Sequence, residues 1–142
     1  MENKGRDLAK RVVDAMFDND PFSQWLGIER VEDGPGHSVL RMTVRREMCN
    51  GFGLAHGGIT FSLADSALAF ASNSHGRKSV SIETSISHTV AARPGDVLTA
   101  TAVQEHLSNK IANYRVTVTN QNGVVVALFK GTVYRLGGEW EV

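Results

Sequence analysis

Residues 50–74, NGFGLAHGGITFSLADSALAFASNS, hold the pattern on which the fold turns. Cys49 to Gly58 is too rich in glycine to form one regular element. From Gly58 to about Ser74 the chain is dense in Ala and Leu. Its apolar residues (Ile59, Phe61, Leu63, Ala64, Ala67, Leu68, Ala69, Phe70 and Ala71) fall on nearly every side of a helix. A helix that is apolar all round is expected to be buried on all sides. Its Ala and Ser side chains let neighbouring backbones come close, and Asn73 to Gly76 supplies stop residues.

The flanks complete the architecture. Leu8, Val12, Ala15 and Met16 recur at helical spacing, which predicts an amphipathic helix over about Arg6 to Phe17. Asp20-Pro21 reads as a second helix start, capped by Asp with Pro at the first helical position, ending near Gly27. Strands are expected at Ile28–Glu32 and Ser38–Val44, around a turn at Asp33–Gly36. The C-terminal half reads as β: Ser79–Val90, Val97–Leu107, Ile111–Thr119 and Val124–Leu136. Turns are expected at Arg93-Pro94-Gly95-Asp96, Ser108-Asn109-Lys110 and Asn120–Gly123. The expected class is α+β, an antiparallel β-sheet wrapped around one long central α-helix. One domain would span residues 1–142, with an N-terminal helical segment over about residues 6–26. Sheet edges and an uncovered face would then need a homodimer or larger homo-oligomer.

Composition narrows the function. With 15 basic and 15 acidic side chains the net charge is zero, so nothing pulls the chain toward nucleic acid or a membrane surface. An anionic ligand would need a local basic site. The single cysteine, Cys49, excludes an internal disulfide framework. MENKGRDLAK has no apolar core of a secretory signal, and no run approaches the roughly 18 apolar residues of a membrane span. A cytoplasmic protein is the expectation.

Asp65 is the anomaly. A carboxylate inside an apolar helix is costly unless it is paired, hydrogen-bonded or functional. Burial would raise its pKa toward the range of a general base. The plainer alternative is a locally wet face, with Asp65 bonded to Ser62 or to another chain. Directly before the helix, His56-Gly57-Gly58 offers free amides at a positive dipole end, which can hold an oxyanion. Taken alone, it is a weak signal and reads more readily as a glycine-rich strand-to-helix turn with a polar His. Gly57 and Asp65 lie eight residues apart, about 12 Å along a helix. One chain's Asp65 and Gly57 therefore cannot easily serve the same carbon atom. If both act, two subunits must pair their helices antiparallel, so that each site takes Gly57 from one chain and Asp65 from the other. Asn50 can donate and accept, and by itself reads as a turn residue before Gly51. The five histidines show no metal-ligand spacing. Gly51-Phe52-Gly53-Leu54-Ala55-His56 departs from a dinucleotide fingerprint at its last position. Cys49 reads as a packing residue rather than a thiol nucleophile.

Together, Asn50, His56-Gly57-Gly58 and Asp65, in the pattern N-x5-H-G-G-x6-D, resemble the hotdog-fold thioesterases. The closer resemblance is to the PaaI-type branch, named for phenylacetate degradation. Leu26-Gly27-Ile28, Arg93-Pro94-Gly95-Asp96 and Ala127-Leu128-Phe129-Lys130-Gly131-Thr132 extend it over nearly the whole chain. The resemblance implies hotdog dimers, commonly paired into tetramers, with active sites at the dimer interface. It implies Asp65 as general base or nucleophile, the Gly57 or Gly58 amide polarising the thioester carbonyl, and Asn50 and His56 supporting the loop. A hydroxyl after the helix, Ser81 or Thr84, would position water. No metal or redox cofactor is expected, coenzyme A being part of the substrate. Arg93, Lys110 and Lys130 are candidates for its phosphates. The implied substrates are phenylacetyl-CoA or hydroxyphenylacetyl-CoA. The alternatives are medium-chain fatty acyl-CoA or acyl-carrier protein, or a hotdog protein that binds acyl-CoA without turnover.

Overall fold

The computed structural model describes residues 2–142. The element order is α1 (Glu2–Asp18), α2 (Pro21–Trp25), β1 (Glu29–Gly34), β2 (His37–Thr43), α3 (Gly57–Asn73), β3 (Arg77–His88), β4 (Val97–Leu107), β5 (Ile111–Thr119) and β6 (Val125–Glu139). A short 3-10 turn, Arg46–Met48, precedes the glycine-rich loop. The strands form one antiparallel sheet in the order β1-β2-β4-β5-β6-β3.

Alternation decides which face α3 covers. In β2, β5 and the first half of β4 every second side chain is buried, including Leu40, Met42, Leu98, Ala100, Val116 and Val118. These meet Leu63, Ala64, Ala67, Leu68, Phe70 and Ala71 of α3, which packs against all six strands. Each fully buried Leu or Phe side chain contributes roughly 1.5–3 kcal/mol. Phe61 meets Phe129 edge to face at 5.4 Å between centroids, joining α3 to β6. The expected sheet wrapped around a long helix is what the chain forms.

The differences from the sequence reading are local. β1 runs on to Gly34, so the first hairpin turns through Pro35 and Gly36 alone, with Gly36 at φ +67°. Only a residue without Cβ takes that conformation cheaply. Asp20 caps α2 as expected, its side chain accepting from Ser23 N at 3.0 Å. β6 extends to Glu139 because β3 starts at Arg77 and gives it a partner. α3 is not buried on all sides: Ser62, Asp65, Ser66 and Ala69, at helical spacing, form a half-buried stripe. β3 is a twelve-residue edge strand with Val80 and Ile82 about half exposed.

Gly131 on β6 sets how closely α3 rides on the sheet. A Cβ there would stand 2.5 Å from Leu68 Cδ2. Gly131→Val should overpack this contact and destabilise the fold by about 1–3 kcal/mol, read as a lowered urea midpoint.

Candidate active site

The loop before α3 is built on Asn50. Its Oδ1 accepts from Phe52 N at 2.9 Å and Leu54 N at 3.3 Å, and its own N–H donates to Leu54 O. Ala55 N donates to Ala92 O and His56 N to Met48 O, which fixes where the helix begins. His56 is the N-cap, and its Nδ1 accepts from Gly58 N at 3.0 Å. An accepting Nδ1 leaves the ring proton on Nε2. The cap occupies the Gly58 amide. Gly57 N–H has no acceptor among the described residues. It lies on the wall of a cavity of about 340 Å3, together with Asn50, Thr60 and His88. A free amide at a helix N-terminus suits a developing negative charge.

Two turns further on, Asp65 is half-buried and has no hydrogen bond or ion pair among the described residues. The neighbouring serines are engaged elsewhere. Ser62 Oγ donates to Gly58 O at 2.7 Å, and Ser66 Oγ shares a hydrogen bond with Ser23 Oγ at 2.8 Å. Burial alone pushes the Asp65 carboxyl above its ordinary range, because no cation offsets the loss of water. Asp65 opens onto a second cavity, of about 410 Å3, with an apolar lining that includes Leu68, Val80 and Leu136. Ser81 lines this cavity too. The two cavities share no residue.

Within one chain, the structure thus brings Asp65 and Ser81 together, and separately Asn50 with Gly57. Thr84 lines neither cavity and pairs across to Gly131 on β6. Arg93 is exposed in the turn next to Ala91 and Ala92, which wall the Gly57 cavity. Lys110 is exposed in the β4–β5 turn, at the other end of an eleven-residue strand from Arg93. That is about 35 Å at 3.3 Å per residue. Lys130 borders a small pocket of about 120 Å3 on the opposite side of β6, with Glu83 and Glu105. One chain does not gather these three cations at one place. Cys49 donates to Arg45 O at 3.6 Å. No cluster of three or more His, Cys, Asp or Glu side chains is placed to hold a metal among the described residues.

Two residues escaped the sequence reading. His88, at the end of β3, has Nε2 3.2 Å from where a Cβ on Gly57 would stand. Trp140, near the C-terminus, lines the Asp65 cavity. Neither carries a spacing signal, since tertiary pairing alone brings them to the site.

The sequence model of the thioesterase superfamily matches residues 52–127, more than half of the chain. The chain belongs to the thioesterase superfamily. Within it, the chain is similar to the acyl-coenzyme A thioesterase PaaI of Escherichia coli, 40% identical over 87% of this chain and 89% of that protein. The crystal structure of E. coli PaaI, from the phenylacetic acid degradation operon, superposes with a TM-score of 0.93 at 38% identity. It covers 94% of this chain and 97% of the other. A hypothetical thioesterase of Streptococcus pneumoniae solved with coenzyme A is similar at TM-score 0.77 and 29% identity, over 80% and 88% of the two chains. The wrapped sheet is therefore the hotdog fold of PaaI-type thioesterases, and the enzyme class is thioester hydrolase.

The raised pKa of Asp65 has a signed consequence for this thioesterase. In acid, both folded and unfolded chains hold the proton, and burial costs little. As pH rises through the raised value, the folded state must bury a charge that the unfolded state solvates, and stability is lost. Asp65→Asn should therefore melt higher than wild type at about pH 8, with the gap closing toward about pH 4. Paired thermal melts at the two pH values read this directly.

Proposed function

We propose that this protein hydrolyses acyl-CoA thioesters to free acid and CoA, at sites that each combine Asp65 of one subunit with Gly57 of the partner subunit. The observation that carries this reading is the division of the chemistry in one chain: a basic carboxylate in one cavity, a free helix-end amide in another.

Strand β3 links the two cavities. Lys78 to Ser81, at its beginning, line the Asp65 cavity, while His88, at its end, lines the Gly57 cavity. β3 is also an unpaired edge with exposed Val80 and Ile82, and such edges invite pairing. A two-fold axis through the middle of β3 pairs it antiparallel with its copy. The beginning of one strand then meets the end of the other, and each Asp65 cavity faces a Gly57 cavity. The same axis sets the half-open stripes of the two α3 helices against each other, antiparallel. Pairing of such dimers into a tetramer is part of this reading.

In the proposed reaction the Asp65 carboxylate takes a proton from water. The water oxygen bonds to the thioester carbon, and the oxyanion accepts from Gly57 N–H. The C–S bond then breaks, and the proton on Asp65 returns to the departing thiolate. The Ser81 hydroxyl, in the same cavity, is suited to hold the water. Asn50 and His56 keep the Gly57 amide free: Asn50 by closing the loop, His56 by occupying Gly58. The steps draw on water, a carboxylate and amides, and we assign no metal or redox cofactor. Arg93, beside the Gly57 cavity, is the best placed of the three cations for a CoA phosphate. Phenylacetyl and hydroxyphenylacetyl groups are the proposed acyl groups, supported by likeness to PaaI. A cytoplasmic setting fits the single unpaired Cys49. Binding without turnover is the weaker reading, because a binder gains nothing from an unpaired half-buried carboxylate.

Thiol release from phenylacetyl-CoA tests the assignment. Asp65→Ala should lose about 10²–10⁴-fold in kcat. Gly57→Pro removes the N–H, and its ring suits both the first helical position and the extended His56 before it, at ψ 138°. It should lose about 10²–10³-fold. Because a Cβ at this position would stand 3.2 Å from His88 Nε2, Gly57→Ala, which adds the same Cβ and keeps the N–H, is the control and should retain more activity. Undiminished turnover in folded Asp65→Ala or Gly57→Pro would remove that residue from the mechanism.

A further inference from the structure

Asp65 sits at one end of a floor made by a single helical stripe. Asp65, Leu68, Ala69, Ser72 and Asn73 of α3 all line the larger cavity, at the i, i+3, i+4, i+7, i+8 spacing of one face. The stripe is about 12 Å long, and its far end is closed by the C-terminal tail.

That closure is built. Asn73 is buried, and its Oδ1 accepts from both Ser79 N at 2.9 Å and Trp140 Nε1 at 2.9 Å. Its Nδ2 donates to Ala69 O and Ser79 O. Trp140 N donates to Gly76 O at 2.7 Å, and Lys78 Nζ lies 5.5 Å from the indole centroid. The indole is thus fixed to the helix that carries Asp65. Trp140 also borders an open groove of about 370 Å3 beside α1 and α2, lined by Ala15, Pro21 and Phe22. Met16 and Trp140 are the two lining residues that the cavity and the groove share.

We infer that Trp140, with Met16, is the length stop of the acyl pocket. This rests on the thioesterase reading above and adds to it what limits the substrate. With the carbonyl carbon beside Asp65, the acyl group runs along the α3 stripe toward Asn73 and ends against the indole. An extended chain advances about 1.2 Å per bond, as three backbone bonds span about 3.6 Å. The stripe therefore holds roughly ten bonds, enough for an arylacetyl group or a medium-length alkyl chain. Removing this wall would open the cavity into the groove beside α1 and α2 and admit longer chains.

The experiment is a chain-length profile of kcat/KM over alkyl-CoA thioesters from acetyl to palmitoyl, with phenylacetyl-CoA alongside. Wild type should fall steeply beyond roughly ten carbons. Trp140→Ala should raise palmitoyl-CoA relative to phenylacetyl-CoA by about 10-fold or more, the scale on which an apolar pocket discriminates. Trp140→Phe loses the Nε1–H bond and part of the indole's bulk but keeps an aromatic wall, so it should shift the profile less. Met16→Ala opens the same wall from α1 and decides the matter if Trp140→Ala does not fold. An unchanged profile in folded Trp140→Ala and Met16→Ala, while wild type turns thioesters over, would overturn the length stop alone. Equal shifts in Trp140→Ala and Trp140→Phe would overturn its steric basis. Absence of wild-type turnover on every thioester would overturn the thioesterase reading, and this inference with it.

Discussion

An α-helix holds its residues at fixed separations, and in this protein that rigidity keeps Asp65 about 12 Å along the axis from Gly57. Neither residue can move toward the other without breaking a helix packed against all six strands. The carboxylate therefore opens into one cavity and the free amide into another. In the proposed dimer, two-fold pairing of β3 would bring the carboxylate of one copy to the amide of the other. Such a partner would also cover β3, a long edge strand, and the stripe of α3 that stays half open.

The electrostatic side follows from the same helix. Ser62 and Ser66 flank Asp65, and both turn their hydroxyls to other acceptors. No cation stands near enough to pair with the carboxylate among the described residues. The fold thus carries an unfavourable charge that a simple core would exclude, a pattern common where function and stability compete. At the other end of the stripe the polar groups are fully satisfied. Asn73 is hydrogen-bonded on both its oxygen and its nitrogen, and it ties the chain's tail to α3. One face of one helix thereby carries the uncompensated carboxylate at one end and, at the other, the asparagine that holds Trp140.

Much of this was legible in the sequence, for stated reasons. The all-round apolar pattern of residues 58–74 announced a central helix, and β4 and β5 have the bounds that their alternation predicts. Asp65 stood out because its type conflicts with its neighbours, and its distance from Gly57 followed from helical rise alone. Other features depend on contacts that no local pattern encodes. The distinction between Gly57 and Gly58 rests on the His56 side chain turning back onto Gly58 N. Ser81 and Thr84 were not separable, because β3 carries register shifts between Arg77 and Ser79 and between Ser81 and Glu83. Each such shift breaks the period-two alternation on which a strand is read. His88 and Trp140 reach the cavities only through strand pairing with distant parts of the chain.

Whether the two half-sites belong to different subunits can be measured by complementation. Asp65→Asn and Gly57→Pro chains are prepared separately, each nearly inactive as a homo-oligomer, then mixed through reversible unfolding and refolded together. In a hybrid dimer with shared sites, one site holds both substitutions and the other holds neither. Thiol release from phenylacetyl-CoA should then recover to roughly a quarter of the wild-type rate under random pairing. If the mixed sample, shown by mass spectrometry to contain hybrid dimers, stays as inactive as its parents, each site lies within one chain and the account is contradicted.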